Sequence, residues 1–213
     1  MTPYWPEFIA LAVIHFLAVV APGPDFAITV RQSVRYGRQV GVVTALGIGA
    51  GISLHVGYTL LGVGALLHAH HGLLMAASLI GAAYLIYLGG VLLRSQPKAD
   101  AAGAAPVAAG PVDMSFRRAF WMGFLTNATN PKATLFFLAI FTTVVKPSTP
   151  LAVQAAYGAW MCGVNAAWFA LVALLFAADA VRRRFLRMGH WLERGMGALL
   201  LVFALRLLWQ TVR

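Results

Sequence analysis

The chain has 213 residues, 61% hydrophobic and 10% charged. A soluble domain carries about 25% charged residues, so this composition, with a mean hydropathy of +0.79, excludes a soluble globular domain and places the chain in a membrane. Net charge is +10, from sixteen Lys and Arg against six Asp and Glu, but the cations lie in the gaps between apolar runs, which points to a membrane face and away from nucleic acid. A single cysteine, Cys162, excludes an internal disulfide or a Cys-x-x-Cys centre.

Six runs reach the ~20 residues a transmembrane helix needs. The first, 7–30, carries Glu7 and has no Lys or Arg before it, so it reads as a retained span and not as a signal peptide. It is interrupted by VAPGPDFAIT (20–29). The second, 39–67, contains ALGIGAGISLHVG, with Gly47 and Gly51 in a G-x-x-x-G and Ala45, Gly49, Ser53 and Gly57 at spacing four. That pattern suits close helix packing and is compatible with a homodimer. His55 in this run is a candidate proton-coupling group. His68, His70 and His71 follow in a short loop; with no carboxylate or thiol beside them they read as solvated, and no metal site is expected. The third run is 72–93. Residues 95–115, SQPKADAAGAAPVAAGPVDMS, cannot build a core and read as a flexible linker. The fourth run, 117–145, is interrupted at Asn130-Pro131. The fifth, 150–178, holds Asn165, which suits an interhelical hydrogen bond. The sixth, 190–211, carries Glu193, Arg194 and Arg206.

The cations set the orientation. Arg31, Arg35 and Arg38 follow run one. Arg94, Lys98, Arg117 and Arg118 follow run three. Arg182, Arg183, Arg184 and Arg187 follow run five, with Arg194 beyond. Only Lys146 and Arg213 fall on the other side. Both termini are expected outside and the basic gaps in the cytoplasm.

The linker (95–116) separates repeat one (1–94) from repeat two (117–213) within a single transmembrane domain. HFLAVVAPGPDFAITV in run one and GFLTNATNPKATLFFL in run four each place a proline in mid-run with a charge directly after it, Pro24-Asp25 and Pro131-Lys132. Three spans per copy force the second copy in from the opposite face, giving inverted repeats. The fold class is therefore an all-α membrane protein of six helices, with helices 1 and 4 broken at mid-membrane.

Proline removes a backbone donor and clashes with the turn before it. Pro22-Gly23-Pro24 should split run one around a polar pocket, with Gly23 permitting an unusual backbone and the second half-helix starting at Pro24. Asp25 then sits at a positive helix end. Asn130 reads as an N-cap with Pro131 at the first helical position; Lys132 adjoins it and Asn127 lies one turn earlier. This second helix mouth can hold a carboxylate while Asp25 holds an ammonium, which is the pairing a zwitterionic amino acid offers. Intramembrane charges are functional candidates by default. Without a ligand the two charges can neutralise one another.

APGPDF before a Gly-rich second span, together with GFLTNATNPKA, resembles the LysE/RhtB family of bacterial amino-acid exporters over nearly the whole chain. AWFALVALLF (167–176) and the arginines after it are most similar to the threonine/homoserine branch. The resemblance implies proton-driven efflux of a small neutral or hydroxylated amino acid through the bacterial inner membrane. It implies binding positions at Pro22, Gly23, Pro24, Asp25, Asn127, Asn130, Pro131 and Lys132. A basic substrate would call for more buried acids than Asp25; beyond it stand Asp179 and Glu193, near cytoplasmic ends. No P-loop, H-E-x-x-H or G-x-S-x-G motif is present, so neither an enzyme nor an ATP-driven pump is indicated, and no cofactor is expected. The expected partners are the substrate, protons and lipid. The alternative is an exporter or passive pore for a metal or other small ion on the same scaffold.

Overall fold

A computed structural model describes residues 4–63, 71–96, 114–146 and 148–212. They form helices and short connections, with no strand among them.

Helix α1 (Trp5–Val20) stops where the sequence stops it. Ala21 precedes Pro22 and adopts an extended backbone, φ −61° and ψ 121°, because the proline ring disfavours a helical residue before it. Helix α2 (Pro24–Tyr36) restarts with Gly23 as N-cap and Pro24 at the first position. The two axes meet at 52°. A bend of that size carries the chain onward: at 1.5 Å per residue the pair advances ~35 Å along α1, enough for a ~30 Å hydrocarbon core. Gly23 itself is extended, φ −157° and ψ −164°, a conformation open to any residue, so the unusual backbone expected there is not found. The positive φ falls instead at Gly37 (+93°), the single residue between α2 and α3 (Arg38–Tyr58), where an L side chain would be strained.

A π-helical segment, Thr59–Val63, closes α3. Helices α4 (His71–Leu93), α5 (Phe116–Ala128), α6 (Pro131–Thr143), α7 (Leu151–Phe176) and α8 (Asp179–Val212) follow. The break between α5 and α6 sits at the predicted Asn130-Pro131. By length and apolarity Arg38–Leu61, Leu151–Phe176 and the bent α1–α2 pair can each cross a bilayer, and Ala82–Leu93 and Pro131–Phe141 are shorter apolar helices.

Helix α8 starts eleven residues before the sixth apolar run. Arg182, Arg183, Arg184 and Arg187 therefore lie on a helix, not in a gap. Arginine, alanine, leucine and methionine are all good helix formers; hydropathy marks where a membrane ends, not where a helix does. The side chains of these arginines and of Arg206 lie outside the described residues, as do His68, His70, the His71 side chain, Lys98 and most of the linker.

Helix α3 is wedged between α5 and α7, and its glycines set the spacing. A Cβ at Gly47 would stand 2.0 Å from the Phe120 carbonyl oxygen, and one at Gly123 2.0 Å from the Thr44 carbonyl oxygen. A Cβ at Gly49 would meet Ala166 and Cys162 of α7. In lipid, where apolar burial gives helices little reason to associate, such close backbone approach supplies the packing. Gly47, Gly49 and Gly51 of the small-residue stripe are thus packed within the chain, whereas Ser53 is exposed and a Cβ at Gly57 would meet nothing within 4 Å.

Two charged side chains of α8 pair with the end of α4. Buried Glu193 accepts from the Ser95 hydroxyl, and Arg194 Nε donates to the Ser95 carbonyl at 3.0 Å, tying α8 to the end of α4. At the opposite end Glu7 is buried too, accepting from the Lys146 N–H at 3.1 Å and the Thr149 hydroxyl at 3.0 Å. It locks α1 to the connection between α6 and α7.

Candidate functional site

The two helix breaks meet. Asn127, in the last turn of α5, donates from Nδ2 to Asp25 Oδ2 at 2.9 Å, and Asn130 Nδ2 lies 3.4 Å from the same oxygen. Lys132, in the first turn of α6, donates from Nζ to the Ala18 and Ala21 carbonyls at 3.4 and 3.5 Å. Those carbonyls belong to the end of α1, where the break leaves acceptors without intrahelical partners and where the helix dipole favours a cation. The exchange is reciprocal: an acid at the start of α2 is held by amides flanking the second break, and a base at the start of α6 caps the helix before the first.

Asn130 also caps its own helix. Its Oδ1 accepts from the Lys132 N–H at 3.0 Å, with Pro131 at the first position, as the Asn-Pro pair implies. One donor of that helix mouth is therefore already engaged; Ala133, next in the turn, lines the cavity.

A partly open cavity lies between the breaks, with about 460 Å³ of empty space counting its open side. Of the predicted positions, Gly23, Pro24, Asp25, Asn127, Asn130 and Lys132 line it. Pro22 and Pro131 do not; they shape the breaks. A Cβ on Gly23 would project toward Lys132 Nζ at 3.7 Å, so glycine leaves room at the centre of the site. His55 stands behind the wall. Its Nε2 lies 3.0 Å from the Asn127 carbonyl and its Nδ1 3.1 Å from the Tyr58 hydroxyl, so it reaches Asp25 only through Asn127.

Asp25 is buried, and its Oδ1 is enclosed with no hydrogen-bond partner among the described residues. A buried acceptor without a donor is costly unless a ligand or water supplies one. The site thus offers one unpartnered carboxylate oxygen and, across the cavity, a lysine at a helix N-terminus. No group of three or more potential metal ligands occurs among the described residues.

Sequence reasoning missed two features. His15 lines the cavity from α1 and is 1% exposed; an ionisable residue within a span was signal enough. Thr29 and Gln32, one and two turns beyond Asp25, are fully buried, so α2 carries a polar stripe from the site toward its basic end. Spacing of four and three residues in a membrane run could have revealed it.

Among known proteins, the family model described as "LysE type translocator" matches residues 16–211. The chain is 31% identical to the threonine efflux protein of Escherichia coli (strain K12) over 205 residues, covering 94% of this chain and 97% of that one. It is also 31% identical to the threonine efflux protein of Salmonella typhi, with the same shares covered. It is 29% identical to the uncharacterized membrane protein YahN of Escherichia coli (strain K12), covering 90% and 84%. No solved structure matches.

Proposed function

We propose that this chain, which belongs to the LysE type translocator family, exports a small neutral amino acid from the cytoplasm by secondary-active transport. The substrate zwitterion lies between the breaks, its ammonium on Asp25 and its carboxylate toward the Asn130/Lys132 helix mouth. Threonine and homoserine are the first candidates, because relatives 31% identical over nearly their whole length are threonine efflux proteins. Asp25 carries the reading: one oxygen is fixed by two amides and the other has no hydrogen-bond partner among the described residues, which leaves it as the acceptor for an ammonium.

Proton antiport follows from the same carboxylate. A group that can take either a proton or an ammonium makes the two compete for one site, which is the minimum that exchange requires. His55 acts at one remove, by holding the Asn127 backbone. The scaffold is read as six crossings in two inverted repeats, in a bacterial inner membrane. The termini and the connection around Ser148 face outward, and the basic ends of α2, α5 and α8 face the cytoplasm.

The test is flux of labelled threonine and homoserine from vesicles of purified protein under an imposed pH gradient. Wild type is expected to export against a concentration gradient only when the pH gradient is present. Asp25→Asn should reduce flux about 10- to 100-fold, the value of one charge-assisted hydrogen bond of ~1.5–3 kcal/mol. Asp25→Asn working as well as wild type overturns the site chemistry. Flux indifferent to the pH gradient overturns antiport and favours a passive pore.

A further inference from the structure

Resting on that reading of the site, we infer that His15 and Asn165 form the subsite that selects a hydroxyl-bearing substrate side chain. His15 lies one turn before Ala18, whose carbonyl receives the Lys132 ammonium. Asn165 comes from the middle of α7. Both line the same cavity as Asp25, and both are nearly fully buried, at 1% and 3% exposure.

The hydrogen bonds fix what this pair presents. Asn165 Nδ2 lies 2.9 Å from the Met161 carbonyl oxygen. That contact orients the amide, because its oxygen in the same place would face another acceptor. The same Nδ2 is 2.9 Å from His15 Nε2. Nε2 is therefore the acceptor, and the ring carries its proton on Nδ1. That Nδ1 is enclosed and has no partner among the described residues. Of the residues that line this cavity, three carry such a buried polar atom without a partner among the described residues: Asp25 Oδ1 and Asn127 Oδ1, which accept, and His15 Nδ1, which on this tautomer donates. The surroundings limit what can answer it. The rings of Phe136, Phe137 and Trp160 stand around the imidazole, with centroids 6.0, 6.2 and 5.6 Å away. The subsite is thus one N–H donor in an aromatic enclosure.

A short side chain with one hydroxyl answers it once the enclosing rings give way: the oxygen accepts from Nδ1–H and the carbon faces the rings. A hydrocarbon side chain of the same shape would enter but leave the donor unpaired. A cationic side chain would meet a donor where it needs an acceptor. The other buried acids of the described chain do not supply that acceptor, because Glu7 is committed to Lys146 and Thr149 and Glu193 to Ser95. A site built around a hydrogen bond rejects the analogue that lacks it more strongly than an apolar pocket rejects an added hydroxyl.

Threonine and valine are the probes, since they share a shape and differ in the hydroxyl. Flux of each is measured from vesicles of wild type, His15→Phe, His15→Asn and Asn165→Leu. Wild type is expected to prefer threonine about tenfold or more. His15→Phe should bring the ratio close to one while valine flux persists. His15→Asn keeps an N–H near the Nδ1 position and should retain most of the preference. Asn165→Leu frees the ring without removing it and should lower the ratio by a smaller factor; it becomes the deciding variant if His15→Phe moves neither substrate. Threonine moved with its preference intact in His15→Phe or, failing that, in Asn165→Leu overturns the subsite alone. Wild-type vesicles that move neither amino acid overturn the export reading, and the subsite falls with it.

Discussion

The reciprocal approach of Gly47 and Gly123 makes the function of the site depend on a packing contact well away from its charges. A methyl group on Gly123 would lie 2.0 Å from the Thr44 carbonyl oxygen, and one on Gly47 2.0 Å from that of Phe120. Comfortable carbon–oxygen contact begins at about 3.3 Å, so either alanine must part α3 and α5 by roughly 1.3 Å. The obstacle is backbone in both cases, and no rotamer change can relieve it. Overpacking of this kind costs about 1–3 kcal/mol, or roughly 2–12 °C in Tm at ~2–4 °C per kcal/mol for a chain of this length. Asn127 stands one turn beyond Gly123, and its 2.9 Å bond to Asp25 does not survive such a shift. Gly123→Ala should therefore lose threonine flux as well as stability. Gly163, whose Cβ would meet nothing within 4 Å, is the control: Gly163→Ala should melt no lower than wild type. The measurements are thermal unfolding in detergent and vesicle flux. Gly123→Ala with wild-type Tm and full transport would refute the reasoning.

Gly23→Ala is expected to fold and melt like wild type, since its backbone is extended and its Cβ contacts are ordinary, yet to lose transport about tenfold because the methyl group occupies ligand space; unchanged flux would show that substrate does not pass between Gly23 and Lys132. Glu7→Leu strands the Lys146 N–H and the Thr149 hydroxyl and should cost ~1–3 kcal/mol, with Thr149→Val costing less; thermal unfolding of both variants checks the order. In a Cys162→Ser background, an impermeant thiol reagent applied to intact cells should label Ser148→Cys and reach Arg35→Cys only after permeabilisation. The reverse pattern would invert the topology.

Some of this protein is written locally in its sequence, and some is not. The break at Pro22-Gly23-Pro24, the restart at Pro24 and the Asn130 cap were legible because proline and capping residues act on backbone within a turn of themselves. The extent of α8 was not: hydropathy changes at residue 190, whereas the helix starts at Asp179, because helix propensity and lipid solubility are separate properties of the same arginines. Gly23 was legible as a break but not in kind, since its role is space for a neighbour 109 positions away and not a special backbone.

What the sequence by itself determined is where each helix must stop and which charges the membrane must somehow accommodate. Only the tertiary structure decided who accommodates them: Asn127 for Asp25, the α1 carbonyls for Lys132, Thr149 for Glu7, Asn165 for His15. Each partner lies about a hundred or more residues away. Such pairs form when whole helices pack, and packing here is set by glycine contacts whose two halves carry no mark in the sequence of belonging together.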